Sequence, residues 1–265
     1  MINRIKNISV VFIGAGNLAT NLAKALYKKG FCIQQVYSRT EESAKTLAHL
    51  VESTFTTSLE EVTNNASLYI VSLTDDALLQ LLPNITKGKE KALIVHTAGS
   101  ISIDIWNGYA QRFGVLYPMQ TFSKKKETSF QNIPFFIESN SPEDTELLKK
   151  IASTLSDKVY YATSQQRCSL HLAAVFTCNF TNHMYALAAE LLEKNNLPFD
   201  VMIPLIDETA AKVHLLPPCD AQTGPAARND EEVMRRHLKM LSDDPATQNI
   251  YKLLSDSINK KKEII

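Results

Sequence analysis

The segment Ile8–Ala19 has the sequence ISVVFIGAGNLA and joins an apolar run to a glycine turn. Its first half, Ile8–Ile13, is a continuous β-branched and aromatic run, which is typical of a strand buried on both faces of a sheet. A helical pattern follows from Asn17 to Lys29, and Gly30 stands at the expected C-cap position. A second strand, Cys32–Tyr37, completes a βαβ unit, whose crossover is right-handed and whose strands are parallel.

Strand and helix patterns continue to alternate over the first 162 residues. This alternation predicts an α/β fold with a doubly wound parallel sheet. After Ala162 no strand pattern recurs, so we place a domain boundary near residue 162 and expect an all-helical domain over residues 163–265. The further strands are expected at 54–57, 68–73, 92–96, 113–117, 134–138 and 158–162, and the further helices at 41–50, 75–82, 144–155, 165–195, 201–214, 230–241 and 247–262.

Composition narrows the class of function. The 265 residues carry 28 Lys and Arg against 28 Asp and Glu, so no global basic excess indicates a nucleic-acid partner. The histidines and carboxylates show no metal-ligand spacing, and no metal is expected. The longest apolar stretch, Leu170–Leu192, contains histidines and asparagines, which favours a buried helix over a membrane span. We expect a soluble, cytoplasmic protein whose four cysteines are small buried residues.

The glycine turn fits the pattern G-x-G-x-x-A from Gly14 to Ala19. Gly14 permits the tight turn after the strand, Gly16 lets the backbone approach a pyrophosphate, and Ala19 lets the helix pack closely on the sheet. Free N–H groups at the helix start favour an anion. We therefore expect Gly14, Ala15, Gly16, Asn17 and Leu18 to bind a dinucleotide in a Rossmann-type domain; the alternative is a tight turn that binds nothing.

The residues after the second strand predict which dinucleotide binds. NAD enzymes commonly place a carboxylate there, and this chain has Ser38-Arg39-Thr40 instead. Arg39 can pair with a 2′-phosphate in a bidentate manner, and the two hydroxyls can donate to it. We therefore favour NADP over NAD; the alternative is a surface arginine that stacks on the adenine.

Other candidates follow the ends of later strands, where ligands lie in this fold. Ser72, Leu73 and Thr74 follow the fourth strand and are expected to line the coenzyme cleft. Thr97 is expected to line the nicotinamide pocket together with His96, a candidate catalytic residue; the alternative is a structured turn there. Gln120 and Thr121 follow a further strand and are candidate substrate contacts.

The helical half supplies two further pairs of candidates. On a continuous helix His171 and Asn179 fall within one broad face, where His171 could donate a proton and Asn179 could orient a carbonyl or imine. The alternative for both is a core hydrogen bond or a dimer contact. Gly224 and Arg228 are candidates for binding a substrate carboxylate, although a surface ion pair of Arg228 with Asp230 or Glu231 is equally compatible.

Three strings carry a resemblance to a known family: HTAGS at residues 96–100, YPMQTF at 117–122 and TGPAARND at 223–230. Together with the glycine turn and Ser38-Arg39-Thr40, they make the whole chain resemble bacterial Rossmann-like NADP oxidoreductases with a C-terminal domain of unknown function. The chain is also similar to pyrroline-5-carboxylate reductases and deazaflavin-dependent NADP reductases. The resemblance implies a homodimer whose helical domains complete each other's substrate clefts. The lysine that related 3-hydroxyacid dehydrogenases carry on the first interdomain helix is missing.

These observations predict an NADP-dependent oxidoreductase that reduces a small C=O or C=N substrate by hydride transfer. Residues 1–162 form the coenzyme domain and residues 163–265 the helical domain for substrate binding and dimerisation. The alternative function is a non-catalytic NADP-binding sensor or assembly protein, which the missing lysine favours. No nucleic acid or membrane is expected as a partner.

Overall fold

The computed structural model describes residues 8–262, and its first part is built on one eight-stranded sheet. The strand order is β3-β2-β1-β4-β5-β6-β7-β8. The order reverses direction at β1, which is the switch point where ligands bind in this class of fold. The strands are Ser9–Ile13 (β1), Cys32–Tyr37 (β2), Thr54–Thr56 (β3), Leu68–Val71 (β4), Leu93–His96 (β5), Arg112–Pro118 (β6), Phe135–Ser139 (β7) and Val159–Tyr161 (β8).

Helices connect most of these strands and then form the whole C-terminal part. The predicted α/β fold with a doubly wound sheet and a helical C-terminal region is confirmed. The helices are Asn17–Lys28 (α1), Glu41–Leu50 (α2), Asp75–Thr86 (α3), Pro142–Ser153 (α4), Ser164–Ala174 (α5), Thr181–Glu193 (α6), Ile203–Lys212 (α7), Glu231–Met240 (α8) and Pro245–Lys262 (α9).

The sheet is not parallel throughout, which corrects one detail of the prediction. Strands β1 to β6 are parallel, β7 pairs antiparallel with β6, and β8 is parallel to β7. A parallel neighbour needs a crossover, usually a helix. Residues 119–134 contain no helix, and the Met119 N–H donates to the Pro134 carbonyl (2.9 Å), so the chain turns back beside β6.

Alternate residues of the central strands pack on opposite faces of the sheet. Val10 and Phe12 of β1 belong to the cluster that holds Leu22 and Leu26 of α1. Val11 and Ile13 belong to a second cluster on the other face. Because β1 is apolar on both faces, it is fixed at the centre of the sheet and carries its glycine turn to a defined place.

The described residues up to Asn179 form one compact unit, and those from Phe180 onward form a second. The last strand ends at Tyr161, so the predicted boundary near residue 162 marks the end of the sheet, and α5 belongs to the first compact unit. In the second unit, α6, α7 and α8 have no fully buried residue within the described chain. Large apolar side chains there are open, and Leu215 is 84% exposed.

Three local predictions need correction. The expected helix over 165–195 is divided by a π-helical turn, Val175–Phe180. Helix α3 continues through Pro83 to Thr86, because Ile85 and Thr86 are buried and the Thr86 hydroxyl donates to the Leu82 carbonyl (3.0 Å). Three of the four cysteines are exposed. Among the described residues, no helix is long and apolar enough to cross a membrane.

Candidate coenzyme and reaction site

The turn after β1 is shaped so that only glycine fits its first position. Gly14 has φ +119°, and a Cβ placed on it would lie 2.1 Å from the Ser72 carbonyl oxygen. Its N–H donates to the Tyr37 carbonyl at the end of β2 (2.8 Å). The ends of β1, β2 and β4 are therefore held against one another around this turn.

Gly16 occupies the opposite kind of environment. It is exposed, and a Cβ placed on it would have no heavy atom within 4 Å. It is the N-cap of α1, where no side chain caps the helix and no acidic residue lies in the first turn. The free N–H groups of α1 consequently face open space, which is the arrangement that binds a diphosphate at a helix N-terminus.

A cavity of about 240 Å³ surrounds this turn. We call its lining the coenzyme cradle. Among the residues that the structure describes, this lining contains two cations and no carboxylate, so its charge suits a polyanionic ligand. The lining residues are Gly14, Ala15, Gly16, Ser38, Arg39, Ser43, Ser72, Leu73, Thr74, Ala77, Leu81 and Lys124.

Eight of the predicted coenzyme-binding residues line this cavity, and four do not. Asn17 and Thr40 are exposed and lie outside the lining, and Thr40 is instead the N-cap of α2. Leu18 packs against the apolar core. Thr97 is 6% exposed, and its N–H donates to the Val71 carbonyl (3.1 Å), so its backbone extends the pairing of β4 with the chain after β5.

A second group of side chains meets after β5 and β6. His171 of α5 and Tyr117 of β6 approach each other, with His171 Nδ1 lying 3.4 Å from Tyr117 Oη. Gly99 lies against both, because a Cβ there would be 2.8 Å from His171 Nδ1 and 2.9 Å from Tyr117 Cζ. We call Gly99, Tyr117 and His171 the His171 cluster. Burial raises the pKa of Tyr117, which keeps its hydroxyl protonated.

Arg167, one turn before His171, holds this cluster in place. It is completely buried, and its Nη1 donates to Glu138 Oε2 of β7 (2.6 Å). Its Nε donates to the Ala98 carbonyl (3.2 Å), and its Nη2 donates to the Ile101 carbonyl. The guanidinium thus fixes the loop that carries Gly99 to the helix that carries His171.

His96 is a neutral, interior side chain. It is 0% exposed and stacks on Trp106 with ring centroids 6.1 Å apart. Its Nδ1 accepts from the Ala98 N–H (3.2 Å). Burial, with the charge of Arg167 as a smaller cause, lowers the pKa of His96 to about 3. A histidine in this state shapes the loop but is a poor proton donor near neutral pH.

The other predicted site residues of the first unit are not brought together. Asn179 is exposed and lies in the π turn, where the angular spacing of an α-helix does not apply. Gln120 and Thr121 are also exposed, and the Gln120 side chain accepts from the Thr121 N–H (2.9 Å). Asp75, in the first turn of α3, accepts from Ser100 Oγ (2.5 Å), and the N-cap of this helix is Thr74.

Gly224 and Arg228 lie together in the second unit. Both line a cavity of about 490 Å³ with Leu254 and Ile258. Among the described residues, Arg228 forms no ion pair with Asp230 or Glu231; Asp230 caps α8 by accepting from the Val233 N–H (3.2 Å). This cavity combines one cation with an apolar wall.

Sequence reasoning missed several residues of these two sites. Tyr117 belongs to the quoted string YPMQTF but was treated only as the end of a strand. Arg167 of α5 and Glu138 of β7 are 29 residues apart in sequence, and their ion pair exists only in the folded chain. Lys124 lies in the charged run at residues 123–126 and is exposed, and no local pattern connects it with the glycine turn.

A doubly wound sheet with an open glycine turn beside an arginine defines a nucleotide-binding protein of the Rossmann type. Two family models match the chain. Residues 9–99 match the model described as NADP oxidoreductase coenzyme F420-dependent. Residues 133–258 match the domain of unknown function DUF2520.

Solved structures agree with these matches. A Bacteroides fragilis protein provisionally described as an NADP oxidoreductase is 66% identical, with a TM-score of 0.94 over 97% of this chain and 99% of that one. An imine reductase from Myxococcus stipitatus in complex with NADP+ is 18% identical, with a TM-score of 0.65 over 95% and 92%. A 1-pyrroline-5-carboxylate reductase from Streptococcus pyogenes is 14% identical, with a TM-score of 0.61 over 96% and 98%. The last two share the fold. No curated protein matches the sequence significantly.

The chain belongs to the family of NADP oxidoreductases that join an F420-dependent-type coenzyme domain to a DUF2520 domain. The resemblance drawn from the sequence is therefore confirmed.

Proposed function

We propose that the protein is an NADPH-dependent reductase of a small compound with a C=N or C=O bond. The observation that carries the proposal is the coenzyme cradle, in which Gly16 leaves room for a diphosphate and Arg39 lies beside it. Arg39 is exposed and forms no ion pair with the described residues, so its guanidinium is free for a phosphate. The name of the family and the NADP+ in the imine reductase structure support the choice of coenzyme.

The residues of the cradle fit a phosphorylated dinucleotide. Gly14 to Gly16 and the start of α1 would hold the pyrophosphate through backbone N–H groups. Ser38 and Arg39 would hold the 2′-phosphate, since a hydroxyl and a guanidinium both donate to it. When bound, the reduced coenzyme supplies a hydride to an electrophilic carbon.

The His171 cluster would supply the proton that such a reduction requires. His171 is partly exposed, whereas its partner Tyr117 is 8% exposed, so the imidazole is the group that a substrate can reach. The Tyr117 hydroxyl orients the ring, and Arg167 fixes the helix that carries it. We assign His171 as the proton donor and His96 as a positioning residue.

The second unit supports a proposal on assembly. Large apolar side chains of its helices are open to solvent, among them Leu205 at 62% and Met240 at 76%. A monomeric protein rarely leaves so many apolar side chains uncovered. We propose that a second copy covers them in a homodimer and that Arg228 and Gly224 contact the substrate. Sedimentation equilibrium measures the oligomeric state directly, and a monomer at micromolar concentration would refute the homodimer.

The proposed activity is tested in two stages. Fluorescence titration with NADPH and NADH should give saturable binding with NADPH the tighter ligand, and Arg39→Ala should reduce that preference. NADPH oxidation is then followed with cyclic imines, 2-oxo acids and deazaflavins. An absence of binding by either coenzyme refutes the proposal. Saturable binding with no turnover on any compound favours the non-catalytic sensor.

The four free cysteines agree with a cytoplasmic location.

A further inference from the structure

The loop between β6 and β7 contains a short segment, Ser123–Glu127, that we call the strap. Lys124 of the strap lines the coenzyme cradle together with Gly14 and Arg39. Its neighbours Lys125 and Lys126 carry the same charge but do not line the cavity. Contacts on both sides of Lys124 hold the strap beside the glycine turn.

Helix α1 anchors the N-terminal end of the strap. The Asn21 side chain, 7% exposed, donates to the Ser123 carbonyl (3.1 Å) and to the Asn17 carbonyl (2.9 Å). One buried amide therefore joins the strap to the first turn of the helix whose N-terminus forms the cradle. A buried donor with two acceptors is costly to remove, so this contact fixes the strap firmly.

The other end of the strap is also tied to α1. Lys28 pairs with Glu127, and Lys28 followed by Lys24 lowers the pKa of the Glu127 carboxyl. This pair is solvent-exposed and contributes little by itself. The base of the loop is firmer, because Phe122 stacks on the buried Phe130 with ring centroids 5.4 Å apart.

The charge of the cradle indicates that Lys124 contacts a bound anion. Within the described part of the chain, no carboxylate lines the cradle and no acidic group forms an ion pair with Lys124. Two uncompensated cations in a cavity of about 240 Å³ repel each other, and a bound polyanion removes that repulsion. Arg39 follows β2, whereas Lys124 follows Ser123, whose carbonyl is held by Asn21 of α1. The two cations therefore approach the cradle from different elements.

We propose that the strap places Lys124 on the pyrophosphate of the coenzyme, while Arg39 serves the 2′-phosphate. This inference rests on the proposed function. It predicts that the two cations have different effects. Lys124 raises the affinity for both NADPH and NADH, and Arg39 determines the preference for NADPH over NADH.

The test compares Lys124→Gln with Lys125→Gln, a matched loss of charge one residue away. Dissociation constants for NADPH and NADH are measured by fluorescence titration at fixed ionic strength. Lys124→Gln should weaken both coenzymes by the same factor, about tenfold, the effect of losing a charge-assisted contact. Lys125→Gln should change neither by more than about twofold, since its charge is outside the cavity and screened. Arg39→Ala should weaken NADPH much more than NADH.

Equal, small effects of Lys124→Gln and Lys125→Gln would overturn the inference, and so would a loss confined to NADPH. If the wild-type protein bound neither coenzyme, the proposed function itself would fail. Asn21→Ala adds a check on the strap through a double-mutant cycle. It should weaken binding in the presence of Lys124 and have little effect in the Lys124→Gln background. The same effect in both backgrounds would show that Asn21 does not act through Lys124.

Discussion

The coenzyme cradle and the His171 cluster follow strands of the same sheet but are built from different material. The cradle depends on backbone: Gly14 and Gly16 shape it, and Arg39 and Lys124 only add charge. The His171 cluster depends on side chains held by a buried guanidinium. Backbone sites leave a local sequence pattern, and side-chain clusters do not. The difference also predicts that the two sites fail in different ways when they are changed.

The largest effect is expected at Gly14. Gly14→Ala forces a Cβ onto a backbone carbonyl at a φ of +119°. Strain and overpacking together should lower the free energy of unfolding by about 4 kcal/mol, measured by urea denaturation. Gly16→Ala is the matched control, because its Cβ would meet open space and only the poorer N-cap preference of alanine should lower stability, by about 1 kcal/mol. Its NADPH affinity should still fall more than about tenfold. Equal stability of the two variants would contradict this account of the turn.

Removal of the Arg167 guanidinium should have the next largest effect. Arg167→Met leaves the Glu138 carboxylate with only Ser164 as a donor and without its cation, and it removes the donor of two carbonyls, which should cost about 3 kcal/mol of unfolding free energy. Adding Glu138→Gln should recover part of this loss, because the buried charge is then gone. NADPH affinity should persist in variants that remain folded. Strict additivity of the two substitutions would show that the pair is not coupled.

At His171 the fold should survive while turnover falls. His171→Gln removes the proposed proton donor, and general acid catalysis contributes about 10² to 10⁴ in rate. Turnover should fall by at least about 10²-fold while NADPH affinity stays unchanged. Tyr117→Phe should lose about tenfold, since it removes only the orienting hydroxyl. His49→Gln changes an exposed histidine elsewhere on the sheet unit and should leave the rate unchanged. A fully active His171→Gln enzyme would remove His171 from the mechanism.

The smallest effect is a dependence of stability on pH between pH 6.5 and pH 5 that originates at His96. Its folded-state pKa is about 3, below the ordinary value of 6.5, so the unfolded chain binds a proton first as the pH falls. This contribution is complete above pH 6.5 and is lost progressively down to about pH 3. The slope is at most about 1.4 kcal/mol per pH unit. His96→Asn should make the unfolding free energy flatter than wild type between pH 6.5 and pH 5. Parallel curves would show that His96 already titrates normally.

The sequence predicted most of the residues that line the cradle, but few of those that meet around His171. The apolar run of β1, the glycines and Arg39 lie within about one βαβ unit, so their spacing fixes their positions in space. Sequence patterns did not reveal Lys124, because its position depends on Asn21, whose side chain contacts the neighbouring Ser123 across 102 residues.

The second site shows why local patterns fail. His171 was a candidate, and helical spacing paired it with Asn179. Its neighbours in the structure are Tyr117 of β6 and Gly99 of the loop after β5, which no helical spacing could indicate. His96 attracted attention as a histidine at a strand end, and only its burial reveals a neutral side chain. Periodicity predicts which face of an element is apolar, but it does not predict which polar side chains meet.

The reversed direction of β7 has a consequence for the path of the chain. Since β8 runs parallel to β7, the polypeptide leaves the sheet beside Glu138, where Ser164 at the start of α5 donates to that carboxylate. Seven residues of helix then rise about 10 Å and bring His171 to Tyr117. With β8 in the opposite direction, the same helix would start at the opposite edge of the sheet and run away from Tyr117. The antiparallel connection of β6 to β7 thus determines where the His171 imidazole lies.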